Sequence, residues 1–393
     1  MTVTRQADLI VVGAGPAGCA AAITAVRAGQ DVVMIDRATF PRDKTCGDGL
    51  TTEALRVLES LGLPGEALAG SAKVHDVMLV TPTGRIVELP LPRDGEYARV
   101  MARLDLDAAL VAHARSLGVT IIEGCELTGL AGTADGVSAT AADGTAYFAP
   151  YAIAADGNYS SARRLLTPDA APVLGEWSAF RQYFCGVNDD RLWVIFERDL
   201  LPGYAWVFPL PDGRANVGLA MPRAPGMTGK VFARRWRELL DQPSLRSVLG
   251  PSAQPEGPHR AWPIPSHLDP ERLVVDRVMF AGDAAGVVDP MTGEGIAQAL
   301  ISGGLAADAT CGADNPMAVA ARYRKAVECA LGRDLRFAAR LQRVLAHPTA
   351  ARAVFRTVDL NGWTRAKFAR WMFEDYPRAL LLTPTRWRRP IPG

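Results

Sequence analysis

Asp8-Leu9-Ile10-Val11-Val12-Gly13-Ala14-Gly15-Pro16-Ala17-Gly18 is the stretch that decides the fold. It reads as strand, tight turn and helix. The run Leu9 to Val12 is apolar and β-branched, as a buried parallel strand should be. Gly13 permits the turn, Gly15 lets a pyrophosphate approach the backbone, and Gly18 lets the helix pack on the strand. Ala17 keeps the first helical turn small. The helix N-terminus offers free N–H groups and a positive dipole end to phosphates. A second strand, Asp31 to Ile35, ends in Asp36-Arg37. Asp36 lies 18 residues after Gly18, where a carboxylate can accept hydrogen bonds from a ribose. Strand, small-residue helix and correctly spaced acid together predict a dinucleotide site.

Composition sets the frame. The chain has 393 residues, 49% hydrophobic and 22% charged, which is ordinary globular usage with ample core for two domains. The net charge of +1 gives no case for nucleic acid. The charge is uneven: from Arg322 onward there are 16 Lys+Arg against 5 Asp+Glu. A basic tail on an acidic body predicts contact with an anionic surface or ligand, or else a solvated helix face. The six cysteines are scattered without a CxxC pair, so neither a disulfide framework nor a zinc site is indicated, and a reducing cytosol fits. No signal peptide is expected, because residue 8 already enters a strand. No long uncharged apolar window predicts a membrane span.

Along the chain, Phe40 to Leu50 reads as a loop carrying Cys46 and Gly47, followed by a helix from about Thr51 to Ser60. The loop leaves the second strand at the carboxyl edge of the sheet, where ligands of open α/β folds bind. Cys46 is thereby placed to approach a cofactor ring. Residues 73–100 alternate as a hairpin, Arg103 opens a helix, and an apolar strand ends in Asp156-Gly157. Residues 173–270 hold most of the aromatics at near-strand spacing, which predicts a sheet able to line an apolar pocket. Arg272 to Phe280 reads as one more strand, entering a second backbone cradle through Gly282-Asp283 and Gly293-Glu294-Gly295-Ile296, then a helix to Thr310. Residues 316–393 read as helices.

Gly13 to Gly18 with Asp36, then Asp156-Gly157, then Gly282-Asp283, resemble in order the FAD-containing hydroxylase superfamily. Finer motifs resemble its geranylgeranyl reductase family: Phe40-Pro-Arg-Asp-Lys44-Thr-Cys46-Gly47-Asp48-Gly49-Leu50, Tyr204-Ala-Trp206-Val-Phe208-Pro209, and Pro290-Met-Thr-Gly293-Glu294-Gly295-Ile296. The resemblance implies an α/β, FAD-binding Rossmann-type (GR2-like) domain at 1–72, 101–172 and 271–315. An antiparallel-sheet substrate domain at 73–100 and 173–270 would be threaded through it, followed by a helical segment at 316–393. It implies non-covalent FAD held by the first motif, Cys46, Gly47, Arg103, Asp156, Gly157 and the two late segments. No second GxGxxG occurs, so NAD(P)H or another reductant would dock transiently.

The implied activity is an FAD-dependent oxidoreductase of a hydrophobic isoprenoid, a prenyl-lipid or prenylated metabolite. Its C=C bonds would be reduced by hydride from flavin N5. Cys46 would donate a proton or position the alkene, and Tyr204 and Trp206 would line the lipid slot. The alternative is a monooxygenase (epoxidase or hydroxylase) of an isoprenoid or aromatic natural product. A halogenase is disfavoured because position 204 is Tyr and no GWxWxIP occurs; a non-catalytic flavin-binding protein is a further alternative. A cytoplasmic protein, peripheral at anionic membranes through its basic tail, is expected. Arg365, Lys367 and Arg370 beside Trp363, Phe368, Trp371 and Phe373 would form the contact, with Arg386, Arg388 and Arg389 around Trp387.

Overall fold

A computed structural model describes residues 4–169, 175–223, 229–312, 315–375 and 377–379. The basic group around Trp387 lies outside the described residues. The first forty residues fold as their pattern dictates. Strand Leu9–Val12 is wholly buried, and helix Pro16–Arg27 packs nine of its twelve residues into the core. Gly13 donates its N–H to Ile35 O at 2.8 Å, pinning the turn to strand Val32–Ile35. The central sheet runs 274–275, 278–280, 151–154, 9–12, 32–35, 120–122, parallel except for its first pair. Its four inner strands are continuous apolar runs because both faces are covered.

On one face, helix Ile296–Thr310 packs directly against helix Pro16–Arg27. A Cβ on Gly303 would stand 2.0 Å from Ala17 O, so only glycine lets the two backbones touch. That contact brings the second cradle beside the first.

The second sheet has seven strands in the order 254–264, 177–185, 214–222, 204–210, 192–195, 76–80, 86–90. It is antiparallel except where strand Leu192–Ile195 runs parallel to Asp76–Val80, which joins the early hairpin to the later strands. A four-stranded sheet (4–6, 146–149, 137–141, 127–132) and a three-stranded one (49–51, 98–100, 72–73) complete the fold. The single strand expected from Arg272 to Phe280 is instead a 3₁₀ turn at Pro270–Leu273 and two short strands. Asp276, at φ 51°, turns the chain between those strands in a conformation no strand interior tolerates.

The helices beyond residue 315 include a π turn at Glu328–Gly332 and three helices, Arg333–Leu345, Pro348–Val358 and Gly362–Met372, lying against the seven-stranded sheet. Among the described residues no helix is long and apolar enough to cross a membrane. The expected lipid-facing aromatics divide. Trp363 is 69% exposed, whereas Trp371 is 7% and Phe373 8% exposed, and Phe368 packs beside them. These three face inward because the short terminal helices must bury an apolar stripe to stay folded. The basic residues divide too: Arg378 is buried between acids, and Arg370 is bound to Asp375.

Candidate active site

A cavity of about 380 Å³ lies between the carboxyl ends of the central sheet and the aromatic face of the seven-stranded one. Gly13, Gly15, Ala17, Asp36, Arg37, Cys46, Gly47, Arg103, Asp156 and Gly157 line it. So do Tyr204, Trp206, Gly282, Asp283, Gly293, Glu294, Gly295 and Ile296. Gly18 does not line it, for the reason its spacing predicts: a Cβ there would meet Gly13 O at 1.8 Å. Gly13 is structural as well, since its φ is 99° and a Cβ would lie 2.4 Å from Ala155 O. Gly15 differs from both. The nearest atoms to its Cβ position are two arginine tips, Arg42 Nη2 at 3.6 Å and Arg103 Nη2 at 3.9 Å. The space above Gly15 is therefore free of protein and ringed by positive charge.

No side chain caps helix Pro16–Arg27, so its first-turn donors stay available to an anion. Asp36 is held in place by backbone amides, accepting Ala14 N–H at 2.7 Å on Oδ2 and Ala38 N–H at 2.8 Å on Oδ1. Arg103 grips Asp107 through two bonds of 2.7 and 2.8 Å, and Arg42 meets the same carboxylate at 3.0 Å. Lys44 pairs with Asp283 at 3.6 Å and lies 4.4 Å from the Trp262 ring centre. Burial pushes the Lys44 ammonium below its usual range, with Asp283 opposing. Asp156 Oδ2 accepts Ala162 N–H at 3.0 Å, while its Oδ1 is buried without a hydrogen-bond partner among the described residues. An unpartnered buried carboxylate oxygen, an open glycine, free helix amides and a cationic wall together fit a dinucleotide.

The loop carrying Cys46 is fixed from beneath by a buried polar network. Asp48 sits at φ 66° and is fully buried. Its Oδ2 accepts Tyr183 O–H at 2.8 Å and Asn216 N–H at 2.7 Å. Asn216 also donates to Cys46 O at 2.8 Å, and its Oδ1 accepts Trp206 Nε1–H at 3.0 Å. One asparagine thus ties the Cys46 loop to the aromatic strand. Burial raises the Asp48 carboxyl to about 6, against Arg181 and the bonds from Asn216 and Tyr183. Burial likewise pushes the Cys46 thiol up, with Arg103 opposing, so it stays protonated near neutrality. Asp48 lay inside the quoted loop motif. Asn216, one polar residue in an apolar strand, had no sequence signal.

The second cradle is built around Asp289, whose Oδ1 accepts N–H groups from Met291 at 2.9 Å and Thr292 at 2.8 Å. Tyr204 donates its hydroxyl to Thr292 O. Arg378 pairs with Asp289 and, at 3.1 Å, with Glu374. Glu374 also accepts from Gln298 at 2.7 Å and Thr51 at 2.9 Å. The loop at 289–295 is therefore anchored to the chain beyond residue 372. Arg378 and Glu374 were not foreseen as site residues, because neither stands in a spacing that marks it; Arg42 lay inside the quoted loop motif but was not singled out.

A second, smaller cavity of about 70 Å³ opens on the other side of Tyr204 and Phe208. Leu192, Val194 and Phe196 of the sheet form its floor, and Leu341, Leu345 and Phe355 of the terminal helices form its roof. Gly49, Tyr204, Phe208, Thr292 and Glu294 border both cavities. The inward-facing Phe368, Trp371 and Phe373 belong to this slot.

The chain matches an FAD-binding domain over residues 6–194. It is 34% identical over 369 residues to menaquinone reductase of Mycobacterium tuberculosis, covering 88% of this chain and 86% of that protein. It is 28% identical over 354 residues to digeranylgeranylglycerophospholipid reductase 2 of Methanopyrus kandleri, with 86% of each covered. A geranylgeranyl bacteriochlorophyll reductase-like protein from Thermoplasma acidophilum superposes with a TM-score of 0.80 at 22% identity, over 97% of this chain and 99% of that one. The cradle accordingly takes FAD, and the reaction requires a reductant. The open space at Gly15, the amide-braced Asp36 and the apolar slot meeting the same cavity are those of an FAD-dependent oxidoreductase, and the chain belongs to the geranylgeranyl reductase family of the FAD-containing hydroxylase-like flavoproteins.

Proposed function

We propose that this enzyme reduces isolated C=C bonds in the isoprenoid chain of a hydrophobic lipid or quinone. The observation that carries this reading is the apolar slot meeting the cofactor cavity at Gly49, Tyr204 and Phe208. The relatives' names support it through shared chemistry, since menaquinones and digeranylgeranyl glycerophospholipids both bear isoprenoid chains. Reduced FAD supplies a hydride equivalent when bound, and the protein supplies position, dryness and a proton. Tyr204 and Phe208 exclude water where the two cavities meet, with Trp206 packed between them on the cofactor side, and the Tyr204–Thr292 bond holds the cradle against that wall. Cys46, kept as a thiol, positions the alkene or hands on a proton. Asn216 holds the Cys46 loop and the Trp206 ring in one register.

The test is anaerobic reduction with dithionite in the presence of a geranylgeranyl lipid, followed by mass spectrometry. Two hydrogens gained per double bond are expected. One oxygen gained in air, with no hydrogen gained anaerobically, would establish a monooxygenase instead. Cys46→Ala should retain FAD and lose most turnover. A fully active variant would leave Cys46 a packing role.

A lipid substrate requires the enzyme to visit a membrane surface, and an exposed apolar patch supports one place for it. Leu360 is 70% and Trp363 69% exposed. Arg85 pairs with Asp359 at 2.5 Å, which brings the 55% exposed Ile86 toward them. Arg356, Arg365 and Lys367 accompany the patch in sequence. Basic residues near an anionic leaflet contribute about 1 kcal/mol each, and interfacial aromatics add to this. Binding should weaken with salt, because exposed charges are screened beyond about 8 Å at physiological ionic strength. Co-sedimentation with anionic vesicles at low salt is expected, reduced at high salt and in Trp363→Ser. Protein left in the supernatant with every vesicle would make this face merely solvated.

A further inference from the structure

Any acid that protonates the substrate must reach both the cofactor cavity and the apolar slot. Five residues border both: Gly49, Tyr204, Phe208, Thr292 and Glu294. Only Tyr204 and Glu294 carry a side-chain proton acidic enough to pass on. The Tyr204 hydroxyl is already donated to Thr292 O, and burial holds it above the usual phenol range. Cys46 lines the cofactor cavity but not the slot.

We propose that Glu294 is the general acid of C=C reduction, giving its carboxyl proton to the substrate carbon that does not receive hydride. This rests on the reductase reading above, and it leaves Cys46 the task of positioning the alkene. The carboxylic oxygen is near the required place, since Glu294 Oε1 lies 3.3 Å from the Cβ position of Gly49, where the cavities join. Any larger residue at 49 would press on that carboxyl. Glu294 is half-exposed by surface area, yet the surface it exposes lines the two cavities. Enclosure therefore governs its proton: burial, then the neighbouring Glu374 carboxyl, raise it to about 8, with Arg378 opposing and Asp289 adding to the rise.

The groups facing it are Glu374 and Arg378 from the 373–379 segment, Asp289 from its own loop and Tyr204 from the sheet. The acid is thus kept protonated at neutral pH, while Arg378 stands ready to steady the carboxylate left behind. The step balances. Bound FAD, once reduced by dithionite, would supply the hydride and its two electrons to one alkene carbon, and Glu294 gives its proton to the other. Both alkene carbons end saturated, and the Glu294 carboxylate recovers its proton from water.

The test compares wild type with Glu294→Gln and Glu294→Asp, all as FAD-loaded enzyme. Infrared difference spectra across a pH titration should show a carboxylic C=O band that disappears near pH 8 in wild type and is absent in Glu294→Gln. Anaerobic single turnover with a geranylgeranyl lipid should be fast below that pH and fall above it. Glu294→Gln should lose about a hundredfold or more in rate along with the pH dependence, keep its FAD, and still be reduced by dithionite. Glu294→Asp should recover part of the rate. A Gln variant with wild-type rate and pH profile would overturn the proposal, as would the lack of a titrating band assignable to Glu294. A wild type that accepts electrons from dithionite yet never hydrogenates the lipid would instead overturn the reductase reading, whatever the band shows.

Discussion

Gly15→Val is expected to yield a folded protein that purifies without its yellow colour. The three motif glycines do different work, and the geometry separates them. Side chains at Gly13 and Gly18 would strike backbone oxygens at 2.4 and 1.8 Å, so substitution there disrupts the turn and the helix. At Gly15 the surroundings are two mobile guanidinium tips at 3.6 and 3.9 Å. The protein accommodates valine; the pyrophosphate cannot, because its oxygens need that space to reach the helix amides. A loss of at least about a hundredfold in FAD affinity is expected, or roughly 3 kcal/mol. The flavin-to-protein absorbance ratio should fall near zero, while circular dichroism matches the wild-type apoprotein. The melting temperature should equal that of the wild-type apoprotein and lie below the holoenzyme, whose bound ligand stabilises it by mass action. Unchanged flavin content would refute the placement of the pyrophosphate.

Arg378→Ala should produce the largest stability loss of any single charge removal in the site. Arg378 is 2% exposed and is shared by Asp289 and Glu374. Removing the cation leaves the buried Asp289 and the half-buried Glu374 carboxyls without their compensating charge, and breaking one partner out of such a cluster costs about 3–5 kcal/mol. The loss should depend on pH in a definite direction. Glu374 is already raised by burial, with Arg378 the leading opposing influence, so its removal raises Glu374 further. The folded state then binds more protons than the unfolded chain, so stability falls as pH rises. The variant should therefore be closer to wild type at about pH 5 than at about pH 8. Denaturant midpoints at both pH values measure this. A loss below about 1 kcal/mol at the higher pH would mean that water already compensates the cluster.

Much of the cofactor half was legible because its rules are local. Gly13, Gly15 and Gly18 occupy adjacent turns, so spacing alone predicts their contacts. Asp36 follows at the end of the next strand, one register from Gly13. The aromatic strands were legible by period. The parallel joint between 192–195 and 76–80 was not, because it is a pairing across more than a hundred residues with no turn to mark it. Asn216 was invisible for the same reason: its partners Cys46, Asp48 and Trp206 come together only in three dimensions. Of the terminal aromatics Trp363 is exposed as expected, whereas Phe368, Trp371 and Phe373 were misplaced because exposure was read from residue type. Phe373 packs into the apolar cluster on the seven-stranded sheet, and the Trp371 ring is taken up by Phe337 of helix Arg333–Leu345 and Phe368 of its own helix. Asp276 broke an apparent strand because a single left-handed residue outweighs eight residues of favourable propensity.

The anchoring of the 289–295 loop by Arg378 also has a consequence for biosynthesis. Every residue bordering the cofactor cavity leaves the ribosome before Arg378, which braces the 289–295 loop from behind through Asp289. A nascent chain can form the first cradle as soon as its opening βαβ unit is out. It cannot brace Asp289 until the final helices have been made and docked. Assembly of the site would thereby be divided in time, the opening turn forming first and the 289–295 loop being braced only after translation has passed residue 378. Synthesis past residue 378, rather than formation of the first motif, therefore sets when the 289–295 loop can be braced.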